Sequence, residues 1–287
     1  MLYNAKDLML EAEKHGAAVG AFNVTCMATI TAVLEAAEEL DSPVILEYAP
    51  IHDEEGIISL EEIGPAMVAM AKASSAKVGV HYDHGVDFDK IKKALDMGFT
   101  SVMYDGSILP YEENIKNTRK AVELAKKYGA SVEAELGKMA GVTMTNDHVV
   151  ENRAVDRSNF TNPEQAKDFV EKTGVDMLAC SFGTSHGLYT SAPRLDTELV
   201  KELRETAGVP VVMHGGSGVS AEDYRKVITN GVRKINYYSY MAKAGGEAVR
   251  AEMPEDGVLF IHDLYKIAKK AMKENAKEAM IRFMNKQ

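Results

Sequence analysis

The chain has 287 residues, with 33 Lys and Arg against 43 Asp and Glu, a net charge of −10, and 46% apolar residues. That apolar share excludes a disordered chain, and two cysteines, Cys26 and Cys180, exclude a disulfide scaffold. The acidity excludes a nucleic-acid partner, because there is no basic excess to displace counterions from phosphates. Apolar runs such as Val209–Met213 are far short of the roughly 20 residues that span a bilayer, so no membrane is expected.

In chain order, the first segment, MLYNAKDLMLEAEKHG, is amphipathic and carries no secretory apolar core, which leads to an expected cytoplasmic location. Then short β-rich runs alternate with helix-period stretches. The runs are Ala18–Asn23, Pro43–Glu47, Lys77–Asp83, Ser101–Asp105, Ser131–Leu136, Met177–Cys180, Val209–His214 and Arg233–Asn236. Helical patterns follow each, at Thr29–Leu40, Leu60–Ala73, Phe88–Met97, Tyr111–Tyr128, Pro163–Thr173, Asp196–Thr206, Ala221–Thr229 and Tyr240–Met253. The runs are nearly continuously apolar, as strands covered on both faces are. Eight such units predict an α/β chain folded as one (β/α)8 TIM barrel, a single domain over residues 1–287. From His262 onward, seven Lys or Arg and three Asp or Glu lie on an amphipathic pattern, read as a C-terminal helical extension. A doubly wound sheet is the rival, but no GxGxxG follows the first run.

In a barrel, functional side chains gather at the C-terminal ends of the strands. The polar residues there are Asn23, Glu47, Asp83, His84, Asp105, Glu133, Glu135, Ser181 to His186, His214 and Asn236. Of eight histidines, His15 and His262 read as surface residues and His52 and His148 as residues of polar loops, while His81 sits inside the third strand. His84 (HYDHG), His186 (GTSHG) and His214 (HGGSG) each end a strand and precede a glycine. Three imidazoles converging at one mouth, with a vacant fourth position, form the pattern of catalytic zinc. The HGGSG turn sits between the seventh strand and a helix, where barrels often bind phosphate. Asn236 to Ser239, after the eighth strand, would complete such a site.

Taken together, YDHG, SVMYDGS, VEAELG, GTSHG, YTSAPRLD and HGGSG resemble the class II, metal-dependent fructose-bisphosphate and tagatose-bisphosphate aldolases along nearly the whole chain. The resemblance implies a zinc enzyme, a homodimer or homotetramer, acting on a small sugar phosphate. It would cleave a ketose 1,6-bisphosphate reversibly to dihydroxyacetone phosphate and glyceraldehyde 3-phosphate. It implies His84, His186 and His214 as zinc ligands and Asp83 as the acid/base at the C4 hydroxyl. It also implies Asp105 and Glu135 as holders of a second cation, and a monovalent cation activates parts of the family. Substrate would meet Asn23, Gly187, Gly215, Gly216, Ser217, Asn236, Tyr237, Tyr238 and Ser239.

The sequence departs from the family pattern in three places. The usual Glu-Asp pair after VEAELG is missing, leaving Asp147, Glu151 or Asp156 as substitutes in a longer loop. The eighth strand ends NYYSY, with Tyr238 in place of a smaller residue, and VILEYAP carries Tyr48 and Ala49 where a serine segment is usual. These changes surround the substrate, so a modified ketose 1-phosphate with a different aldehyde product is the alternative. Arg194 and Arg153 are candidate anion contacts. Two other classes are open to the same residues: a Schiff-base aldolase on Lys234 or Lys138, and a non-catalytic binding protein on the same barrel.

Overall fold

The structure is a computed structural model and describes residues 2–137, 149–150, 157–189, 191–253 and 259–286. Among the described residues, eight barrel strands alternate with helices: β1 Val19–Asn23, β2 Val44–Tyr48, β3 Val78–Gly85, β4 Ser101–Tyr104, β5 Ser131–Leu136, β6 Met177–Cys180, β7 Val211–Met213 and β8 Val232–Tyr237; a separate parallel pair joins Val149–Val150 to Leu188–Tyr189. All neighbours pair in parallel, and β1 pairs with both β2 and β8, so the sheet closes into a barrel. This is the (β/α)8 barrel expected from the alternation, with the C-terminal helix in place as Ile261–Phe283.

Period-two alternation divides the core into two layers. Outward residues such as Phe22, Leu46, Val132, Ala134, Leu178 and Ile235 pack beneath the surrounding helices. Inward residues Val19, Ala21, Ile45, Met177, Ala179 and Val212 form a separate apolar cluster at the lower end of the barrel. The N-terminal helix Ala5–Lys14 plugs that end with Leu8, Met9 and Ala12. Further along the same inward faces the side chains change to Glu47, His81, Glu133, Lys234 and Asn236, all buried. The barrel interior is therefore apolar at its base and charged towards its mouth.

Local chemistry fixes which end is the mouth. Helices Leu60–Ala73, Pro163–Thr173, Thr197–Ala207 and Ala221–Asn230 begin there on Ser59, Asn162, Asp196 and Ser220, whose side chains accept from the first-turn amides. At the base, helices Phe88–Met97, Pro163–Thr173 and Thr197–Ala207 end on left-handed Gly98, Gly174 and Gly208. Among the described residues no helix is long and apolar enough to cross a membrane.

Candidate metal centre

Asp83 and His84 are consecutive, and in a regular strand they would face opposite sides. The β3–β4 register slips between Tyr82 and Gly85, and His84 has φ 49°, a left-handed conformation rare for a residue with a Cβ. The slip aims both side chains at the mouth. Strain held at one residue of a polar cluster is a mark of a working site.

His84, His186 and His214 come together there, each offering a ring nitrogen within 4.8 Å of the others. His84 Nδ1 lies 2.9 Å from Asp105 Oδ2, and His214 Nε2 lies 2.7 Å from Glu133 Oε1. A carboxylate takes the N–H of each ring, so the other nitrogen presents a lone pair. These two, His84 Nε2 and His214 Nδ1, face each other at 3.0 Å. Nitrogens so opposed need a positive charge between them, a proton in the metal-free protein or a metal cation, and carboxylate-held imidazoles are how proteins orient metal ligands. Two nitrogens on one zinc lie roughly 3.4 Å apart for Zn–N bonds of about 2.0–2.1 Å in a tetrahedral site. Glu135 Oε2 is buried without a hydrogen-bond partner, 3.8 Å from His214 Nδ1. The donor set therefore fits a divalent cation.

The electrostatics agree. Burial pushes the His84 imidazole down, but the carboxylates of Asp83, Asp105 and Glu135 carry it up to about 10, so the pocket favours positive charge. Burial and the neighbouring imidazoles push His186 down to about 3. Burial lifts Glu135 to about 8, helped by Asp105. Burial would raise Asp83 too, yet His84, His214 and Lys234 hold it well below the carboxylate range, so it is ionised. Two amides face that carboxylate: Asn236 Nδ2 at 3.3 Å and Asn23 Nδ2 at 3.4 Å.

The loops after β6 and β7 are locked together. Gly215 has φ 62°, and a Cβ on it would lie 2.3 Å from the Ser185 carbonyl oxygen, so only glycine fits. Tyr189 Oη accepts from the Ser185 amide at 2.7 Å and donates to the Gly215 carbonyl at 2.9 Å. Gly187, also left-handed, follows His186 in this loop.

A family model described as fructose-bisphosphate aldolase class-II matches residues 3–287. The chain belongs to that family. It is 36% identical over 283 residues to the fructose-bisphosphate aldolase of Staphylococcus aureus strain Mu50, covering 96% of this chain and 95% of that one. It is 38% identical over 261 residues to the uncharacterized protein YdjI of Escherichia coli strain K12, covering 91% and 90%. The crystal structure of the YdjI aldolase superposes with a TM-score of 0.85 at 35% identity, over 99% of this chain and 97% of that one. A class II aldolase is a lyase, and family members of this name act on sugar phosphates.

Four of the positions singled out in the sequence gain detail from the structure, and one of them, His52, is corrected. The Tyr237 side chain does not face the mouth; alternation turns it outward, where its hydroxyl donates to Asn275 Oδ1 at 3.0 Å. The Gly216 amide is not free for an anion, since it donates to the Asn236 carbonyl at 3.1 Å. The Tyr238 amide likewise donates to Ser217 Oγ at 3.1 Å, and Ser239 begins helix Ser239–Glu252. His52 is not on a polar loop surface. It is buried in the short helix Ile51–Glu54, its ring 5.1 Å from that of Tyr238.

Sequence reasoning passed over Tyr189 as a strut and over Glu133 and Lys234 as partners of site residues. Lys234 Nζ is buried 2.6 Å from Glu47 Oε1 and 2.9 Å from Glu133 Oε2. Burial would lower it, but those carboxylates hold it above the ordinary lysine range. A lysine kept protonated is no Schiff-base nucleophile. Arg194 is exposed, and Lys138, Asp147, His148, Glu151, Arg153 and Asp156 lie outside the described residues.

Proposed function

We propose that this chain is a zinc-dependent aldolase that reversibly cleaves a ketose 1,6-bisphosphate, of fructose or tagatose type, to dihydroxyacetone phosphate and glyceraldehyde 3-phosphate. The observation that carries the reading is the convergence of three histidines on one point beside an ionised, amide-held aspartate. His84, His186 and His214 would hold the zinc. When bound there it supplies Lewis-acid polarisation of the ketose oxygens and offsets the negative charge left by C3–C4 cleavage.

Asp83 accepts the proton of the C4 hydroxyl as the bond breaks, and it does so as a carboxylate because cationic neighbours keep it ionised. Asn23 and Asn236 hold its oxygens in place, so little reorganisation accompanies the transfer. Gly187 and the Gly215–Ser217 turn, with Ser239 and the backbone of Asn236 to Tyr238, flank the phosphate end. Binding energy there positions a bond several atoms away. Asp105 orients His84 as Glu133 orients His214, and Asp105 and Glu135 would serve a second cation. We further propose a homodimer or homotetramer working in the cytoplasm.

The alternative substrate, a modified ketose 1-phosphate, is favoured by one feature. His52 and Tyr238, both bulky, pack together beside the mouth. Dihydroxyacetone phosphate release from fructose 1,6-bisphosphate, tagatose 1,6-bisphosphate and ketose 1-phosphates lacking the second phosphate tests both. Release from the bisphosphates supports the first assignment. Release only from the monophosphates replaces it with the second.

A further inference from the structure

We propose that Lys234, braced by Glu47, is a positioning residue that ties the metal ligand His214 to the acid/base Asp83; this rests on the aldolase reading above. Stability alone gives no reason for a fully buried ammonium inside the barrel. Desolvating it is costly before pairing, and an apolar residue of similar volume is often neutral or better. What the ammonium does is fix three acceptors at once. It donates to Asn236 Oδ1 at 2.7 Å, and it lies within ion-pair distance of Glu47 and Glu133.

Two of these contacts lead directly into the site. An amide has one acceptor end and one donor end. With Asn236 Oδ1 turned to the ammonium, its Nδ2 must face Asp83, as it does. Glu133 is bridged in the same way: Oε2 faces Lys234 and Oε1 faces His214 Nε2. That second contact selects the His214 tautomer whose Nδ1 is free for metal. Glu47 closes the third side, from β2, at the position in register with His81 of β3. One charge thus sets an amide orientation at Asp83 and a tautomer at His214, from strands on different sides of the barrel.

The test is Lys234→Met in the full-length chain. Three quantities are measured: zinc affinity by chelator competition, kcat and KM for dihydroxyacetone phosphate release at saturating zinc, and histidine 15N spectra of the zinc-loaded protein. The expected result is zinc affinity down about 10–100-fold, by analogy with other residues that orient metal ligands. kcat falls by a similar factor with KM little changed, and the His214 Nε2–H signal weakens or moves. A lower melting temperature with zinc affinity, kcat and spectrum unchanged would show a purely structural lysine and overturn the proposal. Should Lys234→Met fail to fold, Glu47→Gln/Lys234→Met removes the stranded carboxylate, and the same three readouts decide. Wild-type protein that cleaves no ketose phosphate would defeat the aldolase reading, while zinc affinity and the histidine spectrum would still judge Lys234.

Discussion

Asp105→Asn isolates what a carboxylate contributes to a metal ligand. In the native chain Asp105 Oδ2 lies 2.9 Å from His84 Nδ1, while Oδ1 accepts from the Ser107 amide at 3.1 Å and hydroxyl at 2.7 Å. Asparagine keeps the shape and one acceptor oxygen but removes the charge. A hydrogen bond to a charged group contributes about 1.5–3 kcal/mol and a neutral one about 0.5–1.5. The difference, roughly 1–1.5 kcal/mol, corresponds to about a tenfold loss, since 1.4 kcal/mol is tenfold in affinity. Zinc affinity of the stripped protein, read by competition with a coloured chelator, should therefore fall about tenfold. Asp105→Ala leaves the His84 N–H unpaired and should lose a further one to two orders of magnitude, from the roughly 1–3 kcal/mol cost of an unmet buried donor. Affinity unchanged within twofold in folded Asp105→Ala would refute the claim that Asp105 orients His84. A thousandfold loss in Asp105→Asn would also refute it, because that would make Asp105 a direct ligand.

Other substitutions separate the parts of the site. His214→Ala should lose zinc and turnover together, whereas Asp83→Ala should keep zinc and lose cleavage; near-full turnover in Asp83→Ala would remove the proton-transfer assignment. Gly215→Ala forces a Cβ against the Ser185 carbonyl in a left-handed backbone. It should raise KM for a phosphorylated ketose about tenfold or more, in line with roughly 1–3 kcal/mol of local strain. Burial lowers the His52 pKa, so the folded state keeps the ring neutral while the unfolded chain protonates it near pH 6.5. Its contribution is therefore full above that pH and is lost as pH falls towards the lowered folded value. Melting temperatures measured from pH 8 to 5 should drop less steeply in His52→Phe than in wild type, and parallel curves would contradict the buried neutral ring.

The barrel was legible because its signals are local. Each strand is a short apolar run bounded by turn residues, and the polar residue ending it is visible in the sequence. The three histidines and Asp83 were found by that rule. Their partners were not, because pairing across the barrel depends on register. Lys234 and Glu47 lie on β8 and β2, and only closure through β1 brings them together. Asp83 and His84 pose the opposite problem. Alternation separates neighbours, and it is the left-handed turn at His84, unexpected for a residue with a Cβ, that lets both face the mouth. The outward Tyr237 side chain follows the same rule, since Lys234 and Asn236 point inward and the residues between and after them point out. His52 lies between Pro50 and the acidic Asp53, Glu54 and Glu55, which reads as a polar loop; tertiary packing under Tyr238 overrides that pattern.

The central claim is that the three-histidine centre powers carbon–carbon bond cleavage. It is tested most directly by following dihydroxyacetone phosphate release from a panel of ketose 1-phosphates and 1,6-bisphosphates, before chelation, after EDTA, and after zinc is restored. The account predicts release from at least one substrate, abolished by EDTA and recovered with zinc. Release that persists through chelation, or none from any member of the panel by zinc-loaded protein, would contradict it.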